Sequence, residues 1–199
     1  MKIDYLQFKK KLEKTGRTYF SLYDLKKFYP SGPKSLKVLL SFWTKTFWTK
    51  KGLIYHLTRG FYSFDITRTD YLRLANELDK TSYLSFEYAL YYYNLIDQVP
   101  QVITFASQKR HKVIKASHWI FEYTHLKKEL FFGYELKNKI YIASPEKALA
   151  DLLYLLARGK RKVDLDTLER KKINQKNFCK ILNKFPKYVF KKAQEIGLI

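Results

Sequence analysis

Apolar positions recur with a helical period over residues 3–15, where Ile3, Tyr5, Leu6, Phe8 and Leu12 form the pattern and Lys9, Lys10 and Lys11 interrupt it. This predicts a first helix that Gly16 stops. Ser21 then supplies an N-cap, with Asp24 three residues on, for a second short helix whose buried side is Leu22, Leu25 and Phe28. Tyr29-Pro30-Ser31-Gly32-Pro33 reads as a turn, and Pro33 suits the first position of a third helix. At about 100° per residue, Leu36, Leu39, Leu40 and Trp43 of that third helix share one stripe. Lys34, Lys37, Ser41, Thr44 and Lys45 gather on the opposite side, and Ser35 joins them as a polar candidate. After Gly52, the runs Leu53–Leu57 and Phe61–Phe64 read as two short strands around the tight turn Thr58-Arg59-Gly60.

Farther along, residues 66–82 carry a helical pattern centred on Tyr71, Leu74, Ala75 and Leu78. Ser85 caps another helix, with Phe86, Ala89, Leu90 and Tyr93 apolar, that ends near Asn94, a residue able to take the left-handed closing conformation. Val102–Phe105, Trp119–Tyr123, Leu130–Phe132 and Ile140–Ile142 read as strands. They lie close together without long crossovers, which predicts an antiparallel sheet. Ser144-Pro145-Glu146 opens the clearest helix: Ser is the cap, Pro takes the first turn, and Glu146 faces the positive end of the dipole. Ala148, Leu149, Leu152, Leu153, Leu155 and Leu156 cover most of its circumference and Gly159 closes it, so this helix is the expected core of a second domain. Two more helices follow, one with Phe178, Ile181, Leu182 and Phe185 inside, the other running from Pro186 through Val189, Phe190, Ala193 and Ile196.

The expected fold class is therefore α+β: an N-terminal winged helix-turn-helix over residues 1–66, then a domain over 67–199 with a small antiparallel sheet and C-terminal helices. Composition agrees with a globular chain. Of 199 residues 46% are hydrophobic and 18% aromatic, enough to build cores from Tyr, Phe and Leu. The single cysteine, Cys179, excludes intramolecular disulfides and zinc clusters built on thiolates. Met1-Lys2-Ile3-Asp4 lacks the apolar core of a signal peptide, and no run is long enough to cross a bilayer, so a cytoplasmic protein with no membrane association is expected.

Charge changes the picture most. The formal net charge is +21, and it divides unevenly: +10 over residues 1–65, +2 over 66–155 and +9 over 156–199. A uniform compositional bias would not leave the middle nearly neutral, so the two basic ends read as two separate surfaces for polyanions, of which nucleic acid is the commonest. Lys34, Ser35, Lys37, Ser41, Thr44 and Lys45 can each contact a phosphate or a base edge, and Arg59 at the hairpin tip can reach a phosphate or a minor groove. In a winged helix the third helix lies in the major groove, which makes double-stranded DNA the expected partner. An ordinary solvated helix face, and a winged helix used for protein contacts, are the competing readings.

The second domain also carries strings that resemble the AbiEi antitoxin family. They are Tyr83-Leu84-Ser85-Phe86-Glu87-Tyr88-Ala89-Leu90 with Asn94-Leu95-Ile96, then Tyr123-Thr124-His125-Leu126, then Phe132-Gly133-Tyr134, and the run from Ile142 to Tyr154, of which Ala143–Tyr154 is the most specific. Asn94 stands where the family usually has Gly, and can adopt the same backbone conformation. The resemblance implies a DNA-binding antitoxin of a type IV toxin–antitoxin system that represses its own promoter at inverted repeats. It further implies a cognate AbiEii-type nucleotidyltransferase toxin as partner. For toxin neutralisation the candidate surface is Arg170, Lys171 and Lys172 with the stripe Lys176, Lys180 and Lys184, which recurs every fourth residue. A plain solvated charge run competes with that reading.

Nothing in the chain points to catalysis. The seven glycines are too far apart for a phosphate-binding loop. His56, His111, His118 and His125 form no i, i+4 pair, and Glu146 and Asp151 stand five apart, off a shared helix face. Lys109-Arg110-His111-Lys112 has the charge of a nuclease-like loop but no carboxylate cluster for Mg²⁺ beside it. No enzyme activity, cofactor or metal is expected. The alternative function is a non-enzymatic interaction module whose basic faces grip an acidic protein or an RNA.

Overall fold

The structure is a computed structural model that describes residues 5–28, Val38 and residues 54–199. Among the described residues it is mixed α and β, with seven α-helices and two sheets, one of three antiparallel strands and one of six mixed strands. The chain forms two compact units. One takes in the described residues up to Leu74 together with Lys115–His118; the other takes in Ala75–Ile114 and Trp119–Ile199.

The first unit begins with α1 (Tyr5–Lys14), closed by Gly16 at φ +65°. Phe8 and Leu12 are fully buried, whereas Leu6, expected on the apolar side, is exposed because it sits about 200° around the helix from Phe8. A strand that sequence reading passes over, β1 (Tyr19–Ser21), leads directly into α2 (Leu22–Phe28). Ser21 and Asp24 cap that helix reciprocally: the Asp24 N–H donates to Ser21 Oγ (3.2 Å), and the Ser21 N–H donates to Asp24 Oδ2 (2.9 Å). β2 (Tyr55–Thr58) and β3 (Phe61–Ser63) form the expected hairpin, and β3 pairs with β1 on its other side, giving the order β1-β3-β2. The core is aromatic: Phe8 meets Phe20 edge-on at 5.0 Å, and Phe20 stacks on Phe64 at 4.9 Å, with Leu12, Leu25 and Ile54 around them.

Helix α3 (Tyr71–Leu78) follows, and the division between the units falls within it. The six-stranded sheet has the order β6-β7-β5-β4-β9-β8, from β4 (Ser82–Leu84), β5 (Ile103–Ser107), β6 (Lys112–Ala116), β7 (Trp119–His125), β8 (Tyr134–Lys137) and β9 (Ile140–Ala143). The expectation of an antiparallel sheet is corrected here, because β5 runs parallel to β7 and β4 runs parallel to β9. The short link from β5 to β7 misled the reading. It contains β6, where Lys112 and Lys115 flank Val113-Ile114 and break the alternation that announces a strand, and β6 lies on the far edge of β7. Leu130–Phe132, expected as a strand, forms none: Leu130 ends a 3₁₀ turn (Lys128–Leu130), and Phe131 and Phe132 lead on irregularly toward β8.

Helix α4 (Phe86–Tyr92) packs on β5 and on α5 (Pro145–Ala157). Asn94 takes the left-handed conformation (φ +53°) after α4. Helix α5 is buried from Glu146 to Leu155, as its all-round apolar sequence requires, and Gly159 (φ +64°) follows it. Against it pack α6 (Gln175–Leu182), capped by the Asn174 side chain, and α7 (Lys187–Glu195). Among the described residues no helix is long and apolar enough to cross a membrane.

Candidate nucleic-acid interface

Lys34, Ser35, Lys37, Ser41, Thr44 and Lys45 lie outside the described residues, as does the expected third helix that would carry them. Arg59 is described. It sits at the turn between β2 and β3 beside Gly60, which has φ +82° and open space around its Cα, and the Arg59 side chain is exposed. Reversal of the chain in two residues needs a positive φ, which Gly supplies without strain.

The other described cations of the first unit divide by partner. Arg17 is held by the Asp24 carboxylate, which burial and the cap of α2 already fix in place. Arg68 pairs with Asp65 (3.5 Å) and Lys9 with Glu13 (4.0 Å), while Lys27 lies 4.9 Å over the Tyr23 ring. Lys10, Lys14, Lys26 and Arg59 have no ion-pair or hydrogen-bond partner among the described residues, so their charge is available to a polyanion.

In the second unit the candidate antitoxin residues do not act alike. Arg170 donates to the Gly197 carbonyl (2.8 Å), and Lys172 donates to the Asn94 carbonyl (2.8 Å), so both tie down chain segments. Lys184 Nζ lies 4.7 Å over the Phe132 ring. Lys171, Lys176 and Lys180 are exposed and without a partner among the described residues. Cys179 is half-buried on α6.

Neither protein-family models nor curated proteins give a match to this chain. The meaning of its most distinctive run, Ala143–Tyr154, therefore has to come from the geometry.

That run builds a closed polar network in the core. Ser144 Oγ accepts from the Lys147 N–H (3.2 Å), with Pro145 at the first helical position, so the expected cap is present. One turn on, the Lys147 ammonium and the Asp151 carboxylate pair with neither group exposed. Tyr83 donates to Asp151 Oδ2 (2.9 Å) and accepts from Lys147 Nζ (3.0 Å), and Ser85 donates to the same carboxylate oxygen (2.8 Å). Ser85, expected as a helix cap, makes no side-chain cap bond, because its hydroxyl is committed to Asp151. Burial pushes the Asp151 carboxyl up and the Lys147 amine down, and each partner opposes the shift of the other. The rings of Phe132 (4.9 Å) and Phe185 (5.0 Å) cover the ammonium. With the two charged groups committed to each other and neither exposed to solvent, the network ties α5 to β4 and the start of α4. Sequence reading missed it, although a Lys and an Asp four apart on an otherwise apolar helix were its signal.

A second buried carboxylate, Asp79, receives Lys109 (3.1 Å) and Lys112 (3.0 Å) of the basic loop, with Thr81 and Ser107 hydroxyls (2.7 and 3.0 Å). Burial raises its pKa, but the Thr81 hydrogen bond and the two ammonium groups outweigh that and hold the carboxyl well below the usual carboxylate range. Two of the three Lys/Arg side chains in 109–112 are therefore spent on the fold, and Arg110 keeps its charge free of Asp79.

Proposed function

We propose that the protein is a non-catalytic DNA-binding regulator with antitoxin activity. It represses its own promoter at inverted repeats through a winged helix-turn-helix and counteracts a nucleotidyltransferase toxin, as an AbiEi-type antitoxin does. The observation that carries this reading is the order helix, strand, capped helix, hairpin in the first unit, with β1 completing a three-stranded sheet and Arg59 exposed and unpaired at the hairpin tip. The charge of +10 over residues 1–65 supports it, since binding by phosphate contacts requires cations not already neutralised within the fold. The Lys147–Asp151 network supports a structural role for the distinctive run, because its ammonium and carboxylate are committed to each other and to Tyr83 and Ser85.

Mobility-shift titration of the DNA upstream of the protein's own reading frame, at about 0.15 M salt, tests this. The wild-type protein retards that DNA in preference to unrelated DNA. Arg59→Ala and Lys37→Glu each weaken binding, Arg59→Ala lowers the salt slope by about 1, and neither changes the thermal unfolding midpoint. Wild-type affinity in both variants overturns the assignment.

A further inference from the structure

Three stretches far apart in sequence meet in one cleft of the second unit. The basic loop contributes His111, the end of β7 and the residues after it contribute His125 and Lys127, and the end of α5 contributes Arg158, Lys160 and Arg161. The cleft encloses about 460 Å³, within the range of small-ligand sites.

Its cations are set at two depths. At the floor Arg161 is fixed by two carboxylates, with Nη2 2.8 Å from Glu122 Oε2 and Nε 3.7 Å from Glu87 Oε1. Glu122 is the one carboxylate lining the cleft among the described residues. It is also approached by His111 Nδ1 (3.9 Å) and by the Thr124 hydroxyl (3.4 Å), so it orients Arg161 and leaves little charge for a ligand. At the rim the Arg158 guanidinium donates to the Tyr154 hydroxyl (2.8 Å) and lies 5.0 Å from that ring's centre, which orders it before any ligand arrives. Lys160 is exposed without a partner among the described residues, and Lys127 makes only a solvent-exposed pair with Glu129 (3.7 Å).

Four permanent cations thus face one committed carboxylate in a half-open cleft. The rings lining the cleft are the imidazoles of His111 and His125, and around them the permanent cations outnumber every other kind of polar group, so the charge pattern is what selects. We propose that this cleft binds the polyphosphate chain of a small anionic ligand, with Arg161 at the floor and Arg158, Lys160 and Lys127 closing on the phosphate oxygens from the rim. It is separate from the candidate toxin-facing residues of α6 and does not rest on the DNA-binding reading.

Isothermal titration of the full chain with inorganic tripolyphosphate at about 0.15 M salt tests it. The expected result is saturable binding at a single site. The double variant Lys127→Ala, Lys160→Ala weakens it about tenfold or more. The double variant Lys80→Ala, Lys191→Ala removes the same charge from exposed positions elsewhere in the unit and leaves the affinity unchanged. Absence of saturation up to about 1 mM, or equal weakening in both double variants, overturns the proposal.

Discussion

Lys147 and Asp151 face one another across a single turn of α5, both excluded from solvent, and the hydroxyls of Tyr83 and Ser85 complete the carboxylate's coordination from β4 and the start of α4. The pair locks three elements in one register, because each bond fails if a strand or helix shifts by one residue. Desolvating two charges offsets most of their attraction, so the arrangement contributes specificity of packing more than net stability.

Breaking one side of this pair is therefore costly and removing both is less so. Asp151→Ala strands the ammonium in an apolar cage and lowers stability by about 3–5 kcal/mol. The double variant Lys147→Met, Asp151→Leu loses less than Asp151→Ala alone, although the two hydroxyls remain to be satisfied. Urea unfolding of the two variants and wild type measures this. A double variant less stable than Asp151→Ala would show that the pair is net stabilising.

Gly133 provides a second test of how closely that lysine is held. Its φ is +70°, and a Cβ there would stand 3.1 to 3.3 Å from the Lys147 side-chain carbons, which the surrounding rings keep from moving. Gly159 has a similar φ of +64° and nothing within 4 Å. Gly159→Ala thus reports the backbone cost alone, about 1–2 kcal/mol, and Gly133→Ala adds steric displacement of the buried lysine. The expected order of unfolding midpoints is wild type, Gly159→Ala, Gly133→Ala. Equal losses would mean that Lys147 yields freely.

What the sequence disclosed follows from how local each signal is. The Ser144-Pro145 start, the buried circumference of α5, the left-handed Asn94 and the hairpin with Arg59 at its turn all depend on residues within one or two turns of each other. Ser21 with Asp24 is equally local, and both halves of that cap are present. The misses are non-local. In Lys112–Ala116 only Val113-Ile114 hint at a strand until β7 is beside it, and the parallel pairing of β5 with β7 depends on that strand crossing to the far edge. Asp79 reads as an unremarkable surface carboxylate until the loop lysines fold onto it, and Ser85 reads as a cap until Asp151, 66 residues away, claims its hydroxyl.

Asp79 gives the chain a specific acid sensitivity. Its folded pKa lies below the unfolded value of about 3.9, so its contribution is complete above that value and is lost as pH falls through the folded one. The wild-type urea midpoint accordingly drops as pH is lowered below about 4, and Asp79→Asn drops less steeply over the same window. At neutral pH Asp79→Asn costs about 1–3 kcal/mol, because two lysines and two hydroxyls lose a charged acceptor. Parallel pH curves for the two proteins would show that the ammonium groups do not bias this carboxyl.

The basic C-terminal residues separate into two groups by what they touch, and the separation predicts two phenotypes. Arg170 and Lys172 donate to backbone carbonyls at Gly197 and Asn94, the latter a carbonyl at the left-handed turn after α4. Removing either frees a chain segment, so Arg170→Ala and Lys172→Ala lower the unfolding midpoint by about 1 kcal/mol of stability each. Lys176 and Lys180 are exposed and make no side-chain hydrogen bond or ion pair among the described residues, and Lys176→Glu with Lys180→Glu leaves the midpoint within about 0.5 kcal/mol of wild type. If α6 meets the toxin, that charge-reversed protein retards its own promoter DNA as wild type does and yet fails to rescue growth when the toxin is co-expressed. Rescue at the wild-type level, or loss of DNA binding alone, would remove α6 from the antitoxin surface and leave its lysines as a solvated helix face.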